Sequence, residues 1–171
     1  ALGYAQKAYP GDEAKEDAYL KSFLGNVAVF DTGGRGATTT FIERGIGDVL
    51  LTFESEVNNI VAQNPDAGFE VVVPKVSFLA EFPVTWIDRN VERNGTEAVS
   101  KAYLEHLYSE DAQRLIAGFN YRVHNETVKQ EFADRFPDLQ LLPIEEIAGS
   151  WENAMKVHFA SGGKLDQLQR R

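Results

Sequence analysis

Four short runs constrain the fold more than anything else in this chain: NVAVF at 26–30, DVLLTF at 48–53, FEVVVP at 69–74 and FPVTWID at 82–88. The first is β-rich. DVLLTF and FEVVVP are almost continuously apolar, the pattern of strands buried on both faces of a sheet. FPVTWID opens on a proline, which suits the first residue of a strand. Between them lie segments of helical character: one expected from about 37 to 44, stopped by Gly45 and Gly47, and one at 54–63. Strand, helix, strand, helix, strand predicts βαβ units and a parallel sheet, so the expected fold class is α/β.

The flanks read differently. Residues 1–9 have small and aromatic side chains at helical spacing and stop at Pro10-Gly11. Residues 12–24 predict a helix with Ala14, Ala18, Leu20 and Leu24 on one face. Beyond Asp88 the texture turns helical at 95–119, 127–136 and 145–159, with Trp151 just after Gly149-Ser150 at a helix start. An α/β lobe over 1–80 followed by a mostly helical remainder is the expected organisation. The basic tail at 169–171 is expected to fray. Because Ala1 falls inside a helical pattern, the N-terminus is expected to be a cut end.

Charge and composition exclude several functions. A formal net charge of -9 disfavours nucleic acid and anionic membrane surfaces, which select basic patches. Without cysteine there is no disulfide, thiol nucleophile or zinc–thiolate site. His106, His124 and His158 stand far apart and form neither HxH nor HExxH, so metal ligation is not expected. The serines have no GxSxG context. No coherent set of base, nucleophile and metal ligand emerges, and the expectation is a non-enzyme without cofactor.

One stretch carries chemistry: DTGGRGATTTFIERG at 31–45. Glycines between a strand and a helix let the backbone turn and let a ligand approach it closely. A helix start offers unpaired N–H groups and a partial positive charge. Gly33 and Gly34 are therefore candidate anion donors. There is no GxxxxGK[ST] and no GxGxxG, so neither a P-loop nor a dinucleotide fingerprint is present. On the motif alone a structural turn, with Thr38 or Thr39 capping the helix, is the favoured reading and the anion site the alternative. Phe53, at the junction of DVLLTF with the next helix, reads first as core and second as the floor of a small pocket. Glu54 and Glu56 read as complements of a helix dipole before catalytic acids.

Longer segments carry a resemblance. DTGGRGATTTFIERGIGDVLLTFESEVNNI, LAEFPVTWIDRN, AYLEHLYSEDAQRLIAGFNYRV and GSWENAMKVHFASGGKLDQL are similar to the periplasmic sulfate/thiosulfate-binding proteins of bacterial ABC transporters. FESE and EFP look more like the thiosulfate-binding branch. The similarity implies a type II periplasmic binding protein fold, in which two α/β lobes close on one dehydrated oxyanion held by backbone N–H and hydroxyl groups. It implies that Gly34 offers a backbone N–H to sulfate or thiosulfate, with Gly33 beside it and Arg35 behind as a non-contacting charge. Phe53 falls where the sulfate-binding branch has a tryptophan that donates a hydrogen bond; phenylalanine has no such donor.

The resemblance further implies that the chain is a C-terminal half: most of the second lobe at 1–80, a crossover strand at 81–88, and helices shared between lobes at 89–171. Its implied partners are the anion, the transporter permease, and either the missing N-terminal half or a self-associated copy. The implied location is periplasmic, with the signal peptide removed. A different class sharing this architecture is the effector-binding domain of a LysR-type transcription regulator, which needs a DNA-binding element that this sequence does not show.

Overall fold

A computed structural model describes residues 1–169. Among these residues the order is α1 (Leu2–Ala8), α2 (Glu13–Gly25), α3 (Gly33–Ile42), α4 (Glu54–Gln63), β1 (Val76–Phe78), α5 (Asp88–Asn94), α6 (Glu97–His106), α7 (Glu110–Gly118), α8 (Glu126–Glu131), β2 (Gln140–Leu142), α9 (Ile144–Ala148), α10 (Trp151–Ala154), a π-helical turn at Met155–Phe159, and α11 (Lys164–Gln169). The expected fraying of the tail concerns Arg170 and Arg171, which lie outside the described residues. The chain forms two compact units: Ala1–Leu50, Val72–Ala80 and the stretch from Leu139 onward make the first, while Leu51–Val71 and Glu81–Asp138 make the second.

The first unit holds the sheet. β1 and β2 pair in parallel, Val76 opposite Gln140 and Phe78 opposite Leu142. Its buried hydrophobic side chains are Ala5, Leu20, Leu142, Ile144 and Ala154. Gly3 allows α1 to lie close to them, since a β-carbon there would stand 3.1 Å from Leu142 Cδ1 and 3.3 Å from Ile147 Cδ1. Gln6 ties the same helix to α9 by donating to the carbonyl of Ile147 at 3.0 Å.

Helix α2 is capped by Asp12, whose carboxylate accepts from the Lys15 backbone N–H at 3.1 Å. Of its expected apolar face, Leu20 is buried and Leu24 half-buried, but Ala14 and Ala18 are exposed. Larger neighbours make the contacts instead: Tyr19 packs against Tyr4 at 5.2 Å and Phe23 at 6.4 Å between ring centres. The last helix is anchored to α2 electrostatically, with Lys164 Nζ 2.6 Å from Asp17 and 3.3 Å from Glu13.

The second unit is helical around Ala117, Val123 and Val128, with Ile116, Phe132 and Phe136 packed on them. Buried Gln113 organises its loops: the side-chain amide donates to the Leu107 carbonyl at 2.7 Å, and its oxygen accepts from the His124 backbone N–H at 2.8 Å. Leu107 is half-buried and His124 exposed, so it is the buried Gln113 amide that finds its partners here. The expected helix at 95–119 is two helices, because Ser109 caps α7 by accepting from the Ala112 N–H at 3.3 Å. The expected helix at 145–159 is likewise broken at Gly149, whose φ of 76° ends α9. Trp151 does begin a helix, capped by Ser150.

The larger correction concerns strands. None of the four expected runs, 26–30, 48–53, 69–74 or 82–88, forms a ladder among the described residues, and the sheet is made at 76–78 and 140–142 instead. A strand is stable only when a neighbour takes its N–H and C=O groups. These runs have no such neighbour, and their side chains stay open: Val49 is 77% and Val72 80% exposed. What stands is a helix-rich mixed α/β chain with a small parallel sheet.

Two outcomes follow. Gln113→Ala removes the hydrogen bonds to the Leu107 carbonyl and the His124 N–H and is expected to lower unfolding free energy by about 1–2 kcal/mol in a denaturant titration. Secondly, burial and then the nearby Lys164 push the His158 imidazole below its ordinary value of 6.5, against an opposing pull from Asp17. The neutral ring is favoured in the fold, so on acidification the unfolded chain takes up its proton first. This contribution to stability is complete above pH 6.5 and declines as pH falls from there towards the lowered folded value. Melting temperatures across that window should fall in the natural chain, and the fall should be shallower in His158→Gln.

Candidate functional site

The glycine stretch is part of α3 itself. Thr32 occupies the N-cap position in an extended conformation, and Gly33, Gly34 and Arg35 are the first three helical residues. The helix begins four residues earlier than Ala37, so the glycines form its first turn. The expectation that Thr38 or Thr39 caps it is corrected: both sit in the second turn. The Thr38 hydroxyl donates to the Gly34 carbonyl at 3.0 Å, the usual back-bond of a threonine inside a helix.

Three features make this start chemically open. The Thr32 side chain makes no capping hydrogen bond. The N–H groups of a first turn have no carbonyl within their own helix to bond. Gly33 takes a φ of 77°, a left-handed conformation that glycine adopts without cost, and a β-carbon placed there would meet nothing within 4 Å. Gly33 and Arg35 are exposed and Gly34 is half-buried. Asp31 lies just outside: its Oδ1 stands 3.7 Å from where a β-carbon of Gly36 would be, so a carboxylate already occupies one flank of the helix start.

Phe53 belongs to the second unit and is the N-cap residue of α4. Its ring is 45% exposed and meets Phe82 edge-on at 5.8 Å. The reading of Phe53 as core is therefore corrected: a residue at a helix entry with one aromatic neighbour is half in solvent. Polar groups gather at this helix start. Ser55 is 8% exposed. Thr52 Oγ1 and Asn58 Nδ2 are buried without hydrogen-bond partners among the described residues.

Glu54 has a structural role that periodicity could not reveal. Both its oxygens accept from Arg122, at 2.6 and 2.8 Å. Arg122 also donates to the Pro137 carbonyl at 2.7 Å and lies 5.5 Å from the centre of the Phe136 ring. The fork of hydrogen bonds to Glu54 outweighs partial burial and holds the guanidinium above its ordinary range. Asn120, in a left-handed conformation at φ 68°, donates to Asn59 of α4 at 2.8 Å. Arg122 and Asn120 were not legible as partners of α4, because the pairs are separated by 68 and 61 residues. A signal did exist in FNYRV, where an asparagine follows a helix end.

Among the described residues no group of three or more His, Asp or Glu side chains is placed to hold a metal ion. No described helix is long and apolar enough to cross a membrane.

Arg122→Ala removes a bidentate pair, a carbonyl contact and a ring contact together. It is expected to lower the stability of the second unit by about 1–2 kcal/mol, discounted for partial exposure, with Arg122→Lys recovering little of it. A urea titration followed by near-ultraviolet circular dichroism reads the change.

Comparison with known proteins places these features in context. No family model matches the chain. It is 56% identical to the thiosulfate-binding protein of Escherichia coli K12 over 98% of its length, covering 50% of that protein. It is 43% identical to the sulfate-binding protein of Salmonella typhimurium over 100% of its length, covering 52%. With the thiosulfate-binding protein of Pseudomonas aeruginosa the identity is 43% over 98%, covering 50%. The chain thus spans about half the length of the curated relatives it matches.

Proposed function

We propose that this chain, homologous over nearly its whole length to half of a sulfate- or thiosulfate-binding protein, is part of a solute receptor that captures one of these anions for an ABC transporter. It would work in the periplasm, handing the anion to the permease without turnover. The carrying observation is the α3 start: an uncapped first turn made of Gly33, Gly34 and Arg35, on a chain 56% identical to a thiosulfate-binding protein. The named functions of the relatives favour a binding role over catalysis, and nothing in them favours a transcription regulator.

In this reading the Gly34 backbone N–H donates to the anion and Gly33 holds the turn open beside it. Arg35 supplies a positive field without contact. Such a site suits an acidic chain, because backbone dipoles bind a dianion without placing a formal positive charge against it. The segment is read as a C-terminal half: a second lobe at 1–80, a crossover at 81–88 and helices beyond. Its other lobe is supplied by an N-terminal half, so the chain on its own holds part of the site.

Isothermal titration of the complete receptor with sulfate and thiosulfate tests this. Binding of at least one anion is expected, with Gly34→Val weakening it more than tenfold, which is about 1.4 kcal/mol or more. No heat from either anion at millimolar concentration would sink the proposal, and unchanged affinity in Gly34→Val would return Gly33 and Gly34 to a plain helix start.

A further inference from the structure

Helix α4 begins with a charge arrangement that its own stability does not require. Its first turn carries two carboxylates, Glu54 and Glu56, which complement the positive end of the helix dipole. Yet both oxygens of Glu54 are taken by the guanidinium of Arg122, at 2.6 and 2.8 Å. A cation beside a helix N-terminus opposes the dipole, so the pairing cancels what Glu54 alone would contribute there. Glu56, in the same turn, is also engaged. The Arg122 and Glu54 side chains are 31% and 32% exposed, so solvent screens the pair only in part.

Arg122 is also fixed from outside the pair, by the Pro137 carbonyl at 2.7 Å and the Phe136 ring at 5.5 Å. Further along α4, Asn59 accepts from Asn120 at 2.8 Å, and the Asn120 oxygen accepts from Arg135 at 3.3 Å. Two residues of one loop thus grip α4, and all of these groups belong to the second unit. The helix start they hold has unmet hydrogen-bonding capacity. Just before Phe53, the buried Thr52 hydroxyl oxygen has no partner among the described residues, and such a group calls for a ligand or a water.

We infer that Arg122 is a positioning residue for anion capture: by holding the Glu54 carboxylate in a neutral pair, it keeps the start of α4 from repelling the anion. The inference rests on the receptor reading above, with Phe53 on the anion side of α4 as the resemblance implies. An unpaired carboxylate one residue from Phe53 would repel a dianion strongly wherever water is excluded. Arg122 makes no contact with the anion and acts through Glu54. Its charge matters for binding, whereas its planar fork matters for the fold. Lysine should therefore serve binding even where it does not restore stability.

Isothermal titration of the complete receptor with sulfate and thiosulfate tests this, on the natural protein, Arg122→Ala, Arg122→Lys and the double variant Arg122→Ala/Glu54→Gln. Arg122→Ala should weaken binding of whichever anion the natural receptor takes by about tenfold or more, and the loss should shrink as salt screens the repulsion. The double variant removes the carboxylate together with its partner and should return affinity to within about threefold of the natural value. Arg122→Lys should keep most of the affinity while recovering little of the stability. Arg114→Ala, which breaks ion pairs of α7 and α8 in the same unit, should leave affinity unchanged. Natural affinity in Arg122→Ala overturns the inference. So does a double variant as weak as Arg122→Ala, or an affinity in Arg122→Lys that falls in step with its stability, since either makes the role purely structural. If Arg122→Ala does not fold, the lysine and double variants decide against the natural protein. No heat from the natural receptor defeats the receptor reading and this inference with it, whereas binding indifferent to Arg122 overturns this inference alone.

Discussion

Backbone hydrogen bonding between strands is the constraint on which the rest of this structure depends. A helix satisfies its own N–H and C=O groups, so a helical segment can form wherever its sequence allows. A strand cannot, and waits for a neighbour. This asymmetry accounts for the architecture. Helices form along the chain with local caps at Asp12, Ser109, Asn125 and Ser150. The apolar runs, which contain the greatest density of branched and aromatic side chains, form no ladder. Among the described residues only a three-residue parallel pair is made, where 76–78 meets 140–142. The core is correspondingly thin: Val128 is the one large side chain among the described residues below 2% exposure.

Where packing is thin, polar contacts carry the organisation. In the second unit Gln113 secures the loop before α8, and Arg122 fixes the start of α4 through Glu54. In the first, Lys164 joins α11 to α2. Each joins segments distant in sequence, and each has burial or a second contact to help it. The cluster of Arg114 with Glu110 and Glu131 is more exposed, and solvent screens it more.

What could be read from the sequence divides along the same line. The helices at 12–24, 54–63 and the start at Trp151 were legible, because spacing and caps are local signals. The opening of α3 was misplaced by four residues: glycine normally weakens a helix, so GGRG read as loop, and only Thr32 at the N-cap shows that the first turn is made of it. The strand runs were recognised as apolar and extended, but a sequence does not say whether its ladder partners are present. The pairs Glu54–Arg122 and Asn59–Asn120 depend on the tertiary path alone and left no periodic trace. Family resemblance reached furthest, since it draws on the whole length and not on any one motif.

Phe53 shows how the proposed site would discriminate between its two candidate anions. In a dehydrated pocket every sulfate oxygen seeks a donor, and one left unpaired costs about 1–3 kcal/mol, more when charged. A phenyl ring supplies none. Thiosulfate replaces one oxygen with a larger, more polarisable sulfur that accepts hydrogen bonds weakly. That sulfur loses less on facing an apolar ring, and sulfur–aromatic contact offsets part of its desolvation. The residue at the entry of α4 is 45% exposed and meets Phe82 edge-on. Selectivity then comes from what the site fails to offer sulfate as much as from what it offers thiosulfate.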